Sequence, residues 1–306
     1  MTRPVLHDHD GHVDDLLSSI LLWLSPEIEL QAVGVTNGDC FADLAFEAMV
    51  KIATFLELEG AEISLCPEEM PNPFPDNWRR ESHIINELPI FGENYLRKRY
   101  QVGRPRRTEK VFGDCLANSK VPLTIVTTGP LTNVAKIFGE QPDLAEKVEE
   151  MIIMGGAIST KGNVENNGHD GSAEWNIYAD PGSFKRVLDT KIPLKLITLD
   201  LTDQLPVTKE FIEKLEKQST KASDLASKLW SLVKGFEYYF WDTITAACAI
   251  NPELFEFKDI KIDVSTSGDN QGRTYTTLFG GRKVKMAKEL DREKFEELLL
   301  KTFALK

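Results

Sequence analysis

The sequence predicts an α/β protein: a mostly parallel central sheet flanked by helices on both faces. Three observations carry this. Short apolar runs alternate along the chain with longer segments of helical periodicity. The short runs are apolar almost without interruption, as strands covered on both faces must be. No internal repeat and no linker-like stretch divides the 306 residues, so residues 1–306 are read as one domain. A chain of this length buries roughly three-quarters of its unfolded surface, enough for a deep site.

The elements follow in order. Pro4-Val5-Leu6 reads as the first strand, and residues 16–24 as an apolar helix stopped by Ser25-Pro26. Residues 30–35 form a second strand. Phe41, Leu44, Ala45, Ala48, Met49, Ile52, Ala53 and Leu56 then recur at helical spacing, and Ile63-Ser64-Leu65 is a brief third strand. Residues 70–110 break the pattern with prolines, Phe74, Trp78 and a basic cluster; this excursion is the kind of segment that carries function. Order resumes with strands at 123–127, 151–154 and 194–199 and a helix from Asn133. The stretch from Lys261 mixes β-rich segments with a final helix from Asp291.

Charge and composition narrow the function. Lys plus Arg is 36 and Asp plus Glu is 48, a net charge of −12. Such a surface repels phosphate backbones and anionic lipid, so neither nucleic acid nor membrane is an expected partner. The basic cluster of Arg97, Lys98, Arg99, Arg104, Arg106 and Arg107 reads as a solvated loop. The four cysteines, Cys40, Cys66, Cys115 and Cys248, form no CxxC pair and fit reduced thiols in a cytoplasm. No signal peptide precedes the first strand, and no apolar run reaches the ~20 residues that span a bilayer.

In such sheets ligands bind beyond the carboxyl ends of the strands. The loop after the first strand holds Asp8, Asp10, Asp14 and Asp15 between an apolar strand and an apolar helix. Carboxylates crowded there repel one another, and a hard cation, Ca²⁺ or Mg²⁺, is the stronger remedy than the helix dipole. His7 and His9 share one parity along the strand, and His12 is a loop residue that can face a substrate. Asp39 follows the second strand. The turn Thr128-Gly129-Pro130 can offer carbonyls to a cation, and Met154-Gly155-Gly156 lets a ligand approach the backbone. Residues 162–176 carry Asn163, Asn166, Asn167, Asp170, Glu174 and Asn176, a donor and acceptor set suited to a polyhydroxylated ligand or to an ordinary surface loop. Trp241-Asp242 opens a late apolar helix, and Trp78 with Trp241 are the right type to sandwich a flat heterocycle.

Taken together these segments resemble the nucleoside hydrolases, which cleave nucleosides to ribose and base. The opening loop is similar to that family's DxDxGxDD signature, with Asp10-Gly11-His12 where Asp-Pro-Gly is usual. Residues 128–133, Met154-Gly155-Gly156 and Glu174-Trp175-Asn176 also match, in the family's order along nearly the whole chain. The Asp8–Gly11 loop, residues 38–41 and 72–78, Ala173–Tyr178 and Tyr238–Asp242 resemble the purine-specific, inosine–adenosine–guanosine preferring branch. The resemblance implies a Rossmann-like α/β fold and a cytoplasmic homodimer acting in purine salvage. It also implies Ca²⁺ held by Asp10, Asp15, the Thr128 carbonyl and Asp242, with Asp10 as general base on a water. Asp14, Asn163, Glu174 and Asn176 would hold the ribose, Met154 would line its pocket, Asp39 would meet the purine edge, and Trp78 and Trp241 would stack on the base. Purine-specific relatives carry basic or imidazole groups before the Tyr-Tyr run; here Lys228 and Lys234 are the candidates, and Trp230 stands beside them.

Three rivals remain open at this point. A haloacid-dehalogenase-type phosphatase also opens with Asp-x-Asp-Gly, and Asp200 after the strand at 194–199 is its only further acid. A non-catalytic nucleoside sensor would share the scaffold. A hydrolase of the same class could prefer pyrimidine nucleosides or another N-riboside.

Overall fold

The computed structural model describes residues 2–92, 104–166, 168–233, 235 and 237–306. Its strands are β1 (Arg3–His9), β2 (Ile28–Thr36), β3 (Glu62–Cys66), β4 (Leu123–Thr127), β5 (Val148–Met154), β6 (Leu194–Ile197), β7 (Phe255–Val264), β8 (Thr274–Thr276) and β9 (Arg282–Leu290). They form one sheet in the order β3-β2-β1-β4-β5-β6-β9-β7-β8. Pairing is parallel from β3 across to β9, and β7 runs antiparallel to both β8 and β9.

The chain winds outward from β1 in both directions, to β2 and β3 on one side and to β4, β5 and β6 on the other. The carboxyl end of β1 therefore lies at a topological switch point, where such sheets open a crevice.

Alternation along each strand splits the core in two. Val5, Val33, Val126 and Ile152 face a cluster with α1 (Val13–Leu24) and α2 (Ala42–Phe55). Leu6, Ala32, Ile125, Met151 and Ile153 face the opposite cluster, with Phe112, Val134 and Phe184. Both faces are covered, which is why the strands read as continuous apolar runs.

The remaining helices are α3 (Asp76–Asn86), α4 (Thr108–Asn118), α5 (Thr132–Glu140), α6 (Trp175–Ala179), α7 (Pro181–Leu188) and α8 (Leu199–Thr202). They are followed by α9 (Lys209–Gln218), α10 (Lys221–Leu232), α11 (Trp241–Ile250) and α12 (Arg292–Phe303). Among the described residues no helix is long and apolar enough to cross a membrane.

The structure corrects three local expectations. The first strand runs on to His9, because β2 and β4 flank it and keep its backbone paired past the polar His7 and Asp8. The strand expected over 194–199 stops at Ile197; Leu199 starts α8, and Asp200 accepts the N–H groups of Ile158 at 2.9 Å and Ser159 at 2.7 Å. The excursion contains α3, stacked on α2 through the buried Ile85, and then α4. Within the basic cluster, Arg106 pairs with Glu62 and Asp114, and Arg107 with Glu68 and Glu109. Arg97, Lys98 and Arg99 lie outside the described residues.

Candidate active site

Backbone geometry closes three loops around one carboxylate. Gly11 adopts φ +86°, and a Cβ there would stand 2.1 Å from the Ala45 Cβ, so the turn after β1 can press onto α2 only as glycine. Gly38 after β2 and Gly129 after β4 both press on Asp10: a Cβ would meet Asp10 Oδ2 at 2.0 Å or Asp10 Cβ at 2.9 Å. The Asp39 N–H donates to Asp10 Oδ2 at 2.9 Å. At the start of α1 the His12 N–H donates to Asp15 Oδ2 at 3.0 Å, one half of a capping box. The other Asp15 oxygen accepts the Thr128 hydroxyl at 2.5 Å.

The polar loop is anchored from the opposite side. Glu174 caps α6, accepting N–H groups from Asn176 at 2.8 Å, Ile177 at 3.2 Å and Gly156 at 3.0 Å. Asn176 Nδ2 donates to the Thr128 carbonyl at 3.0 Å, which ties this loop to the one after β4. Asn163 Oδ1 accepts the Trp175 N–H at 3.0 Å.

These groups surround a cavity of about 270 Å³. Of the residues expected from sequence, Asp10, Asp15, Asp39, Trp78, Thr128, Met154, Asn163, Glu174, Asn176, Trp241 and Asp242 line it. Asp14 does not: its Oδ2 accepts the N–H groups of Asp242 and Thr243 at the start of α11, while its buried Oδ1 has no hydrogen-bond partner. Sequence reasoning assigned no role to Phe74, Trp175 or Tyr238, and these also line the cavity beside His12. Phe74 stacks on Trp175 at 4.8 Å and Trp78 meets Trp175 edge-on at 5.4 Å, forming one aromatic wall. Tyr238 meets Trp241 edge-on at 4.8 Å on the other. The available signal was adjacency: Trp175 sits between Glu174 and Asn176, and Tyr238 sits in the aromatic run before Asp242.

Other candidates lie elsewhere. Lys228 pairs with Asp224 on α10, and Trp230 is fully buried edge-on to Phe211 and Phe240. Lys234 and Asn167 lie outside the described residues.

Burial dominates the electrostatics. It raises Asp10 well above the usual carboxylate range, with Asp15 and Asp39 adding repulsion. Asp15 is raised by burial and by Asp242, and Asp242 by burial, Asp14 and Asp10. Burial also lifts Asp14 and Glu174 to about 7. Among the described residues no group of three or more His, Cys, Asp and Glu side chains is already arranged to hold a metal ion. The donor chemistry nevertheless fits a hard cation. Three buried carboxylates, Asp10, Asp15 and Asp242, line one cavity with Thr128, and a positive charge among them would let them ionise together.

A mostly parallel α/β sheet with buried carboxylates, amide groups and aromatic walls gathered in one cavity is the setting of a small-ligand site. Residues 5–297 match the model of the inosine-uridine preferring nucleoside hydrolase family, and the chain belongs to that family. Its chemistry is hydrolysis of the N-glycosidic bond of ribonucleosides, which removes the phosphatase reading. Among relatives, the pyrimidine-specific ribonucleoside hydrolase RihA of Citrobacter koseri is 28% identical over 99% of both chains. RihA of Photobacterium profundum is 26% identical over 88% of this chain and 87% of its own. The inosine-uridine preferring nucleoside hydrolase of Bacillus anthracis superposes with a TM-score of 0.90 at 30% identity, covering 99% of each chain.

Proposed function

We propose that this enzyme is a calcium-dependent purine nucleosidase, releasing ribose and the free base. The observation that carries the reading is the meeting of Asp10, Asp15 and Asp242 with two aromatic walls in one cavity. Asp10, Asp15, the Thr128 carbonyl and Asp242 would hold the cation, and oxygen donors alone favour calcium over zinc. When bound, the cation supplies a Lewis acid that acidifies a water and gathers ribose hydroxyls.

The chain's own groups do the rest. Asp10, pressed by Gly38 and Gly129, is the general base: it takes a proton as the water oxygen bonds to C1′ of the ribose. The C1′–N bond breaks, its electron pair goes to the purine, and the purine takes a proton from solvent. Glu174, Asn163 and Asn176 bind the ribose hydroxyls, and Met154 lines their pocket. The anionic ring of carboxylates favours the oxocarbenium character that develops on the sugar. Trp78 and Trp241 stack on the purine, and Asp39 meets its edge. A bicyclic base offers more stacking area than a pyrimidine.

A second reading, pyrimidine preference, is favoured by the RihA relatives. Free ribose released from inosine, adenosine, guanosine, uridine and cytidine separates the two. Uridine or cytidine cleaved more efficiently than every purine nucleoside replaces the first reading with the second.

A further inference from the structure

Beneath the carboxylates, a line of buried side chains runs from α1 through the sheet and back to α1. Ser19 Oγ lies 2.9 Å from His7 Nδ1, and His7 Nε2 lies 3.2 Å from Thr128 Oγ1. Thr128 Oγ1 lies 2.5 Å from Asp15 Oδ1. Asp15 and Ser19 are four residues apart on α1, so one helix face holds both ends of the line. All four side chains are buried.

The direction of each hydrogen bond follows from counting protons. Thr128 has one hydroxyl proton. Asp15, in the role proposed for it above, is an ionised ligand with none to give, so the Thr128 hydroxyl donates to Asp15. The Thr128 oxygen then faces His7 Nε2 as an acceptor, and Nε2 must carry a hydrogen. In the neutral ring Nδ1 then has none and accepts the Ser19 hydroxyl. Every donor in the line points toward Asp15.

The geometry points to His7 as a positioning residue for the cation site, held as the Nε2–H tautomer by Ser19 so that it aims the Thr128 hydroxyl at Asp15. Thr128 is then fixed at three points besides its chain bonds. Its side chain is held between His7 and Asp15, its N–H donates to the Asp8 carbonyl at 2.9 Å, and its own carbonyl accepts Asn176. Hydrogen-bond partners that orient a ligand side chain in this way set metal affinity without touching the metal. This inference rests on the reading of Asp15 and Thr128 as ligands.

The test has two arms on the full chain. In the first, ¹⁵N-histidine spectra of the Ca²⁺-loaded enzyme read the His7 ring. A pyrrole-type Nε2 with a pyridine-type Nδ1 is expected; a hydrogen on Nδ1 overturns the hydrogen-bond line. In the second, Ca²⁺ is titrated by calorimetry into wild type, His7→Leu and His7→Gln. His7→Leu should weaken Ca²⁺ binding by about tenfold. His7→Gln, which can return an N–H near the Nε2 position, should recover most of it. Wild-type affinity in His7→Leu, or equal losses in both variants, overturns the positioning role. Wild type that binds no Ca²⁺ overturns the cation reading and with it the role of His7 toward a cation, whereas wild type that binds Ca²⁺ with an unchanged affinity in His7→Leu overturns the role of His7 alone.

Discussion

The carboxylate of Asp14 accepts the backbone N–H of Asp242, 228 positions further along the chain, at 2.6 Å. The same oxygen lies 3.3 Å from the Thr243 nitrogen. Phe240, at the N-cap of α11, has no side chain able to satisfy those donors. One helix therefore caps another, and the segments that carry Asp15 and Asp242 are joined below the cavity.

Asp14→Ala should strand two buried N–H groups and cost about 1–3 kcal/mol. Asp14→Asn keeps one acceptor oxygen and should lose less. Thermal melts of both variants check this, and an equal loss in the two would show that the cap contributes nothing.

Chelation should abolish activity and lower the melting temperature, and added Ca²⁺ should restore both. A ligand bound only by the folded state at a hundred times its Kd stabilises by about 2.7 kcal/mol. Full activity in EDTA, with no calorimetric binding of Ca²⁺, would remove the cation from the mechanism.

Asp10→Asn should lower kcat by roughly 10²- to 10⁴-fold, the usual scale for a general base. Because burial and neighbouring acids oppose ionisation of Asp10, the metal-free variant should melt no lower than metal-free wild type. A folded variant with near-normal turnover takes Asp10 out of the proton transfer.

Trp241→Ala should depress inosine hydrolysis in both kcat and KM, because stacking that activates the leaving purine strengthens in the transition state. Hydrolysis of p-nitrophenyl riboside, whose leaving group needs no protonation, should suffer much less. If both substrates slow equally, the indole is packing against Tyr238 and takes no part in the chemistry.

Glu174 is raised by burial from 4.5 to about 7. Its folded value exceeds its unfolded one, so its contribution to stability is complete below pH 4.5 and is lost as pH climbs through about 7. In chelator, Glu174→Gln should therefore gain on wild type in melting temperature between about pH 5 and pH 8. A gap between the two that stays constant with pH would contradict the buried carboxyl.

Much of this was legible in one dimension. Alternating apolar runs and helical periods announce a sheet covered on both faces, because each covered face must bury its own side chains. An acidic loop between an apolar strand and an apolar helix marks the site, because strand ends and helix starts converge at one edge of such a sheet. Eleven of the twelve expected residues do line one cavity, the exception being Asp14. Other relationships were decided only by tertiary packing. The partnership of Asp14 with α11, the wall of Phe74, Trp78 and Trp175, and the line from Ser19 to Asp15 each join segments distant in sequence. Periodicity reports which face of an element is buried, and says nothing of which polar atom on another element will meet it. That is settled when the sheet order brings β1 between β2 and β4 and leaves each buried donor and acceptor to find a partner within reach.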